Sequence, residues 1–102
     1  MSNPQKIHKL KNYISFFEVI PEERWCTGSL HYGGRSCALG HLANSSDGER
    51  LSANDLMLIA NNLIHYVNDN KNGRYGHYGS TPKQRVLTYL KTILNNELIK
   101  EQ

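Results

Sequence analysis

A small, mainly α-helical domain is the fold class this sequence predicts, and three observations carry that prediction. Apolar residues recur at helical spacing in three stretches, and each stretch opens on a residue that caps helices well. Between the first two lies a segment without that rhythm, rich in Gly, Trp and Cys. Three to four helices with a short hairpin-like or irregular Trp/Cys segment follow, as a single helical domain over residues 1–102.

The first helix is expected over residues 4–18. Asn3 is a suitable N-cap, and Pro4 fits the first helical position, where its missing N–H costs nothing. Ile7, Leu10, Ile14 and Phe17 form its buried stripe, and Pro21 prevents continuation, so the helix should end between Glu18 and Ile20. Next, the run from Leu30 to Cys37 reads as a short hairpin, because Gly33-Gly34 accepts the positive φ values of tight hairpin turns. Ser36 is then the expected cap of a short helix over residues 37–43. Gly40 within it costs about 1 kcal/mol relative to Ala, which signals a close backbone approach or an early end. Residues 44–50 read as a loop.

The strongest core helix is expected over residues 52–68. Ser52 caps it, Asp55 approximates the second half of a capping box, and Leu56, Ile59, Ala60, Leu63, Ile64 and Val67 make a continuous apolar face. It should fail in the Asn- and Gly-rich run from Asn68 to Gly73, which leads into a loop over residues 70–80. The last helix has the clearest start, with Thr81 as cap, Pro82 at the first position and Gln84 completing the box. Val86, Leu87, Leu90, Ile93, Leu94 and Leu98 are its stripe; Lys71, Lys83, Arg85, Lys91 and Lys100 read as solvated charge, and Asn95 and Asn96 as solvent-facing. Segments 52–68 and 82–98 are thus expected to be two long antiparallel core helices, with the N-terminal helix packed on them and the Trp/Cys segment across one end.

Composition narrows the class of protein. Hydrophobic residues make up 38% and charged residues 21% of the chain, which suits a folded rather than a disordered protein. No apolar run approaches the length of a membrane span, and the N-terminus lacks the apolar core of a signal peptide, so a cytoplasmic protein with no membrane partner is expected. In that compartment the two Cys are expected as free thiols. A net charge of +3 permits contact with nucleic acid or an acidic protein and requires neither.

Special residues concentrate in residues 24–42, which hold the only Trp, both Cys, two of the five His and four of the eight Gly. Trp25 to Leu30 and Cys37 to Leu42 share an offset, W-x-x-G-x-L and then C-x-x-G-x-L. With Val67-Asn68-Asp69 and a last helix opened by Thr81, this order resembles a family of small bacterial and phage proteins described as domain of unknown function 6197. The similarity runs over about residues 11–94. The resemblance supplies order and boundaries rather than a known activity. His41 stands where that family often has Ala, which argues against a shared functional role for it.

Several residues carry candidate chemistry. Cys26, His31, Cys37 and His41 are ligand types for tetrahedral zinc, and Cys37 and His41 would share a helix face. There is no tight C-x-x-C pair, however, and a straight strand puts Cys26 and His31 on opposite faces, so no metal and no cofactor is expected. Cys37 at a helix start is the candidate nucleophile, because free N–H groups and the helix dipole favour its thiolate. His31, His41, His65 or His77 would be its base, and Asp69 or Asn68 the orienting group. A Cys followed by Ala-Leu also packs as a small hydrophobe, the reading preferred here. Trp25 is read first as a packing anchor and second as a contact residue.

The second unusual feature is the loop bearing Arg74, Tyr75, His77 and Tyr78, spaced by Gly and flanked by Lys71, Lys83 and Arg85. Such aromatic-basic loops stack on bases or dock on proteins. Asp69 is expected to pair with Arg35 or Arg24 and so pin the Trp25 segment near a helix end. Together these features predict a small non-enzymatic binding protein that contacts another protein through the Tyr/Arg loop and Trp25. Its size and the family resemblance suggest a phage or mobile-element accessory factor, such as an inhibitor of a host enzyme. The alternatives are a Cys37-dependent enzyme or thiol sensor, and a nucleic-acid-binding module.

Overall fold

Asn3 and Pro4 start the chain's first helix as their chemistry requires. The computed structural model describes residues 3–43 and 51–100; the loop expected over residues 44–50 lies outside them. Helix α1 (Pro4–Glu18) begins where the Asn3 side chain accepts from the Gln5 and Lys6 N–H groups at 3.1 and 3.2 Å. It buries Ile7, Leu10, Tyr13, Ile14 and Phe17. The last helix, α5 (Pro82–Ile99), is capped by Thr81, whose hydroxyl accepts from the Gln84 N–H at 3.1 Å. The reciprocal half of that box is displaced by one residue, since Gln84 Oε1 accepts from the Ser80 N–H at 3.1 Å.

These two helices are the long antiparallel pair. At one end Asn3 N–H donates to Glu97 Oε2 at 3.3 Å and Lys6 pairs with Glu97 at 3.4 Å; at the other, Lys83 donates to the Glu18 carbonyl at 2.9 Å. The expected single helix over residues 52–68 is instead two short ones, α3 (Ala53–Ile59) and α4 (Ile64–Asp69). Asn61 and Asn62 both adopt φ of 59°, the left-handed region that Asn tolerates better than most side chains. The Asn62 N–H then reaches back to the Met57 carbonyl at 2.7 Å, the long bond of a Schellman end. Apolar periodicity ran through the break because both helices bury their faces in the same core.

Ser52 caps α3 by accepting from the Asp55 N–H at 3.0 Å, but Asp55 does not complete the box. Tyr13 takes that place. Its hydroxyl accepts from the Ser52 N–H at 3.1 Å and donates to Asp55 Oδ2 at 2.9 Å, tying α1 to the start of α3. Burial first, with Asp55 adding, pushes the Tyr13 phenol up to about 12, while its hydrogen bond with the Ser52 backbone opposes the shift.

The hairpin forms as expected. Strands β1 (His31–Tyr32) and β2 (Arg35–Ser36) pair antiparallel, His31 opposite Ser36 and Tyr32 opposite Arg35. Gly33 and Gly34 turn between them at φ of 56° and 79°, as a type I′ turn demands. Helix α2 (Ala38–Ala43) follows, but Cys37 rather than Ser36 stands at its start: the Cys37 carbonyl accepts from His41 N–H at 2.9 Å and its sulfur from Gly40 N–H at 3.5 Å. Ser36 stays in the strand, hydrogen-bonded to His31 Nδ1 at 2.8 Å.

Arg85 departs from its expected solvated place. It is buried, with Nε donating to the Val67 carbonyl at 3.0 Å and Nη2 to the Asn68 carbonyl at 2.7 Å. The guanidinium thereby completes the last carbonyls of α4: Asn68's, and Val67's alongside the 3.2 Å bond from the Asn70 N–H. Asn95 and Asn96 are exposed, as expected. The core joins α1, α3, α4, α5 and the Trp25 segment around Phe17, Trp25, Leu56, Ile64 and Leu90; each such side chain stabilises the fold by about 1.5–3 kcal/mol on burial. No helix among the described residues is long and apolar enough to cross a membrane.

Candidate functional site

The Trp/Cys segment is built as a joint between three strand-like arms and α4. Trp25 is 3% exposed, packs on the Phe17 and His41 rings at 5.4 and 4.9 Å, and donates its indole N–H to the Ile20 carbonyl at 3.3 Å. It is sealed into the core as the packing anchor it was first expected to be, and its second reading, as a contact residue, is corrected: a buried indole with its polar atom satisfied has nothing left to offer a partner. The arm beyond Trp25 pairs parallel to β2 through Trp25 and Ser36. Gly40 explains itself here, since a Cβ at that position would lie 2.2 Å from the Leu30 carbonyl oxygen. The expected close backbone approach is therefore that of α2 onto the end of the 28–30 loop.

Asn68 holds the joint closed. Fully buried, it accepts from the Ala38 N–H at 3.1 Å and donates to the Cys26 carbonyl at 2.9 Å. Its carboxamide thus replaces a peptide group where the two arms diverge. The pinning role expected of Asp69 with Arg24 or Arg35 falls to Asn68, and no ion pair to Asp69 is found among the described residues. Asp69 instead accepts from Asn68 Nδ2 at 2.8 Å, orienting the amide. A neutral amide suits the buried position because a carboxylate there would be costly to desolvate.

Against this joint lies an open cleft of about 390 Å³ lined by Gly28, Ser29, Leu30, Cys37, Leu39, Met57, His65 and Asp69. Its wall is chiefly apolar, and large hydrophobic side chains stand exposed on the elements that form it: Leu30 at 54% and Tyr32 at 74% on the hairpin, and Leu58 at 72% beside Met57 on α3. This exposed apolar set is not among the residues the sequence singles out. The signal was present in Leu30 and Tyr32, two apolar residues at strand period on a hairpin with no second sheet to cover them.

The cleft gathers part of the expected thiol chemistry. Cys37, His65 and Asp69 share its wall, whereas His31 is engaged with Ser36 and His77 stacks on Tyr78 at 4.1 Å. His65 Nδ1 is buried without a hydrogen-bond partner. Both Cys are free thiols. The four candidate zinc ligands are not drawn together: among the described residues no three His, Cys, Asp or Glu side chains are grouped to hold a metal ion. His41 packs on Trp25, and burial there lowers its pKa below 6.5; the His31 and Arg24 charges push the same way, and the Arg24 and Ser36 backbone groups oppose it.

The loop bearing Arg74, Tyr75, His77 and Tyr78 folds into two 3₁₀ turns, Lys71–Gly73 and Gly76–Tyr78. Tyr75 and Tyr78 have the packing role the sequence did not reveal. Both are half-buried against the core, and Tyr78 meets the Tyr89 ring edge-on at 5.2 Å. Arg74 and His77 are exposed. The expected ring of positive charge is partly consumed: Arg85 serves α4, Lys83 caps α1, and Lys71 lies 4.3 Å above the Tyr66 ring. Tyr66, Lys71, Asn72, Arg74 and Tyr75 line a small polar cleft of about 220 Å³. No protein-family model, curated protein or solved structure matches the chain.

Proposed function

We propose that this is a non-enzymatic binding protein that acts by contact with another protein, gripping an apolar side chain of its partner in the cleft beside the hairpin. The observation that carries this reading is the apolar cleft of about 390 Å³ lined by exposed Leu30, on a hairpin and helix that also expose Tyr32 and Leu58. Clefts of roughly 300–1,000 Å³ with mostly apolar walls are the usual form of binding sites, and flexible Met side chains such as Met57 adapt to varied partners. The resemblance to the phage and bacterial family extends the proposal to an accessory role in phage or mobile elements, including inhibition of a host enzyme. Crosslinking and pull-down from host cells, compared across variants, tests it. Leu30→Lys and Leu58→Lys should both lose a partner that wild type and the distant Val19→Ser variant retain. Equal capture by all four proteins would refute the cleft as the contact surface.

A second reading rests on a separate observation, that Cys37, His65 and Asp69 line one cleft. In a thiol enzyme or sensor, His65 would take the Cys37 proton and Asp69 would steady the imidazole's charge. Alkylation distinguishes the two readings. Thiol chemistry requires rapid, selective modification of Cys37 whose pH profile changes in His65→Gln. Slow modification, indifferent to His65, removes it. For the nucleic-acid alternative the basic cleft around Arg74 is the support, and absence of a gel shift at low salt would exclude it.

A further inference from the structure

The two thiols stand on neighbouring arms, each one residue beyond a single parallel bridge. The bridge pairing Trp25 with Ser36, in which the Cys26 N–H donates to the Ser36 carbonyl at 3.0 Å, sets Cys26 and Cys37 opposite each other one residue on, where continued parallel pairing would make them partners. Register partners in a sheet lie about 4.8 Å apart and point to the same face, within the roughly 4.4–6.8 Å between Cα atoms that a disulfide spans. One residue on, the arms diverge, and the Asn68 amide fills the gap between the Cys26 carbonyl and the Ala38 N–H. The same loop backbone serves both cysteines. The Cys26 thiol donates to the Ser29 carbonyl at 3.4 Å, and the Cys37 N–H donates to the next carbonyl, that of Leu30, at 3.1 Å. Proximity is also felt electrostatically, for after burial Cys37 is the next cause raising the Cys26 thiol above its ordinary value.

We infer that Cys26 and Cys37 are a redox pair that closes an intramolecular disulfide, stapling the Trp25 arm to the start of α2. The oxidant is a small disulfide of the glutathione class. Cys26 is the more exposed thiol and reacts first: its sulfur bonds to one glutathione sulfur as that disulfide breaks and one glutathione thiol leaves. The Cys37 sulfur, 7% exposed, then bonds to Cys26 and releases the second glutathione thiol. The protein loses two electrons and two protons, and the oxidant gains both. Only weak sulfur hydrogen bonds, to the Ser29 carbonyl and from the Gly40 N–H, must be given up. Because Cys37 lines the cleft, closure reshapes its wall, but the disulfide itself stands whether or not the cleft binds a partner.

The test compares the folded and unfolded chain at equilibrium. The protein is held in graded mixtures of reduced and oxidised glutathione, with and without denaturing urea, then acid-quenched, alkylated and mapped by mass spectrometry. The folded protein should yield the Cys26–Cys37 linked peptide with an effective thiol concentration about tenfold or more above that in urea. An effective concentration no higher than in urea, or glutathione adducts in place of the linked peptide in the folded protein, would overturn the inference.

Discussion

Asn68 occupies a position that neither an aspartate nor an aliphatic residue fills, because one buried amide must donate to the Cys26 carbonyl and accept from the Ala38 N–H. Removing it leaves a buried N–H and a part-buried carbonyl without that partner, each worth about 1–3 kcal/mol. Asn68→Ala should therefore lower stability by about 2–4 kcal/mol in urea unfolding, far more than Asp69→Ala at the exposed neighbouring position. His41 makes a different residue-scale prediction. Its folded-state pKa lies below 6.5 because its ring is buried against Trp25, so on acidification the unfolded chain takes up a proton before the folded one does. The folded state is accordingly favoured above pH 6.5 and loses stability as the pH falls through that value, levelling once the folded pKa is passed. Melting temperatures across this window should decline in wild type and stay flatter in His41→Phe, which keeps a ring against Trp25.

At the scale of elements, the turn between α3 and α4 governs how the middle of the chain packs. A straight helix over residues 52–68 would carry Ile64, Val67 and Asn68 away from the Trp25 joint. The break lets α4 turn so that its last residues meet Cys26, Ala38 and Arg85. Asn61 supplies the left-handed residue of that break at φ of 59°. Both Asn61→Ala and Asn61→Gly lose the side-chain bond to Tyr89, and Asn61→Ala should be about 1 kcal/mol less stable than Asn61→Gly, since a plain Cβ is penalised in that conformation. Equal stability of the two variants in chemical denaturation would show that the backbone conformation is not what matters there.

Across the whole molecule, α1 and α5 act as a clasp that joins both ends of the described chain. The Glu97 carboxylate is held below the ordinary range first by Lys100, then by the Asn3 N–H and Lys6, against the opposing effect of burial. A depressed carboxylate adds stability above its unfolded value, near 4.5 here, and loses it as pH falls through the folded value. Glu97→Gln should therefore lower stability at neutral pH and flatten the acid limb below pH 4.5, as read by urea midpoints. An unchanged acid limb would mean that other carboxylates dominate it.

Local chemistry wrote much of this fold directly into the sequence. Asn3-Pro4, Thr81-Pro82 and Gly33-Gly34 act through their own side chains or their lack of one, so the helix starts and the hairpin turn were legible without a partner in space. The mainly helical class was legible as well, because periodicity reports burial on one face. What only the tertiary structure decided were groups whose partners lie far along the chain. The apolar stripe from Leu56 to Val67 hid the break at Asn61, since periodicity cannot register a turn whose two sides face one core. Arg85 read as surface charge until the carbonyls ending α4 were brought to it. Trp25 was drawn inward, Tyr75 and Tyr78 were packed, and the cleft beside Leu30 arose only where the hairpin, α2, α3 and α4 meet. Caps and turns are fixed by neighbours in sequence; the joint, the cleft and the thiol pair exist only once distant segments share space.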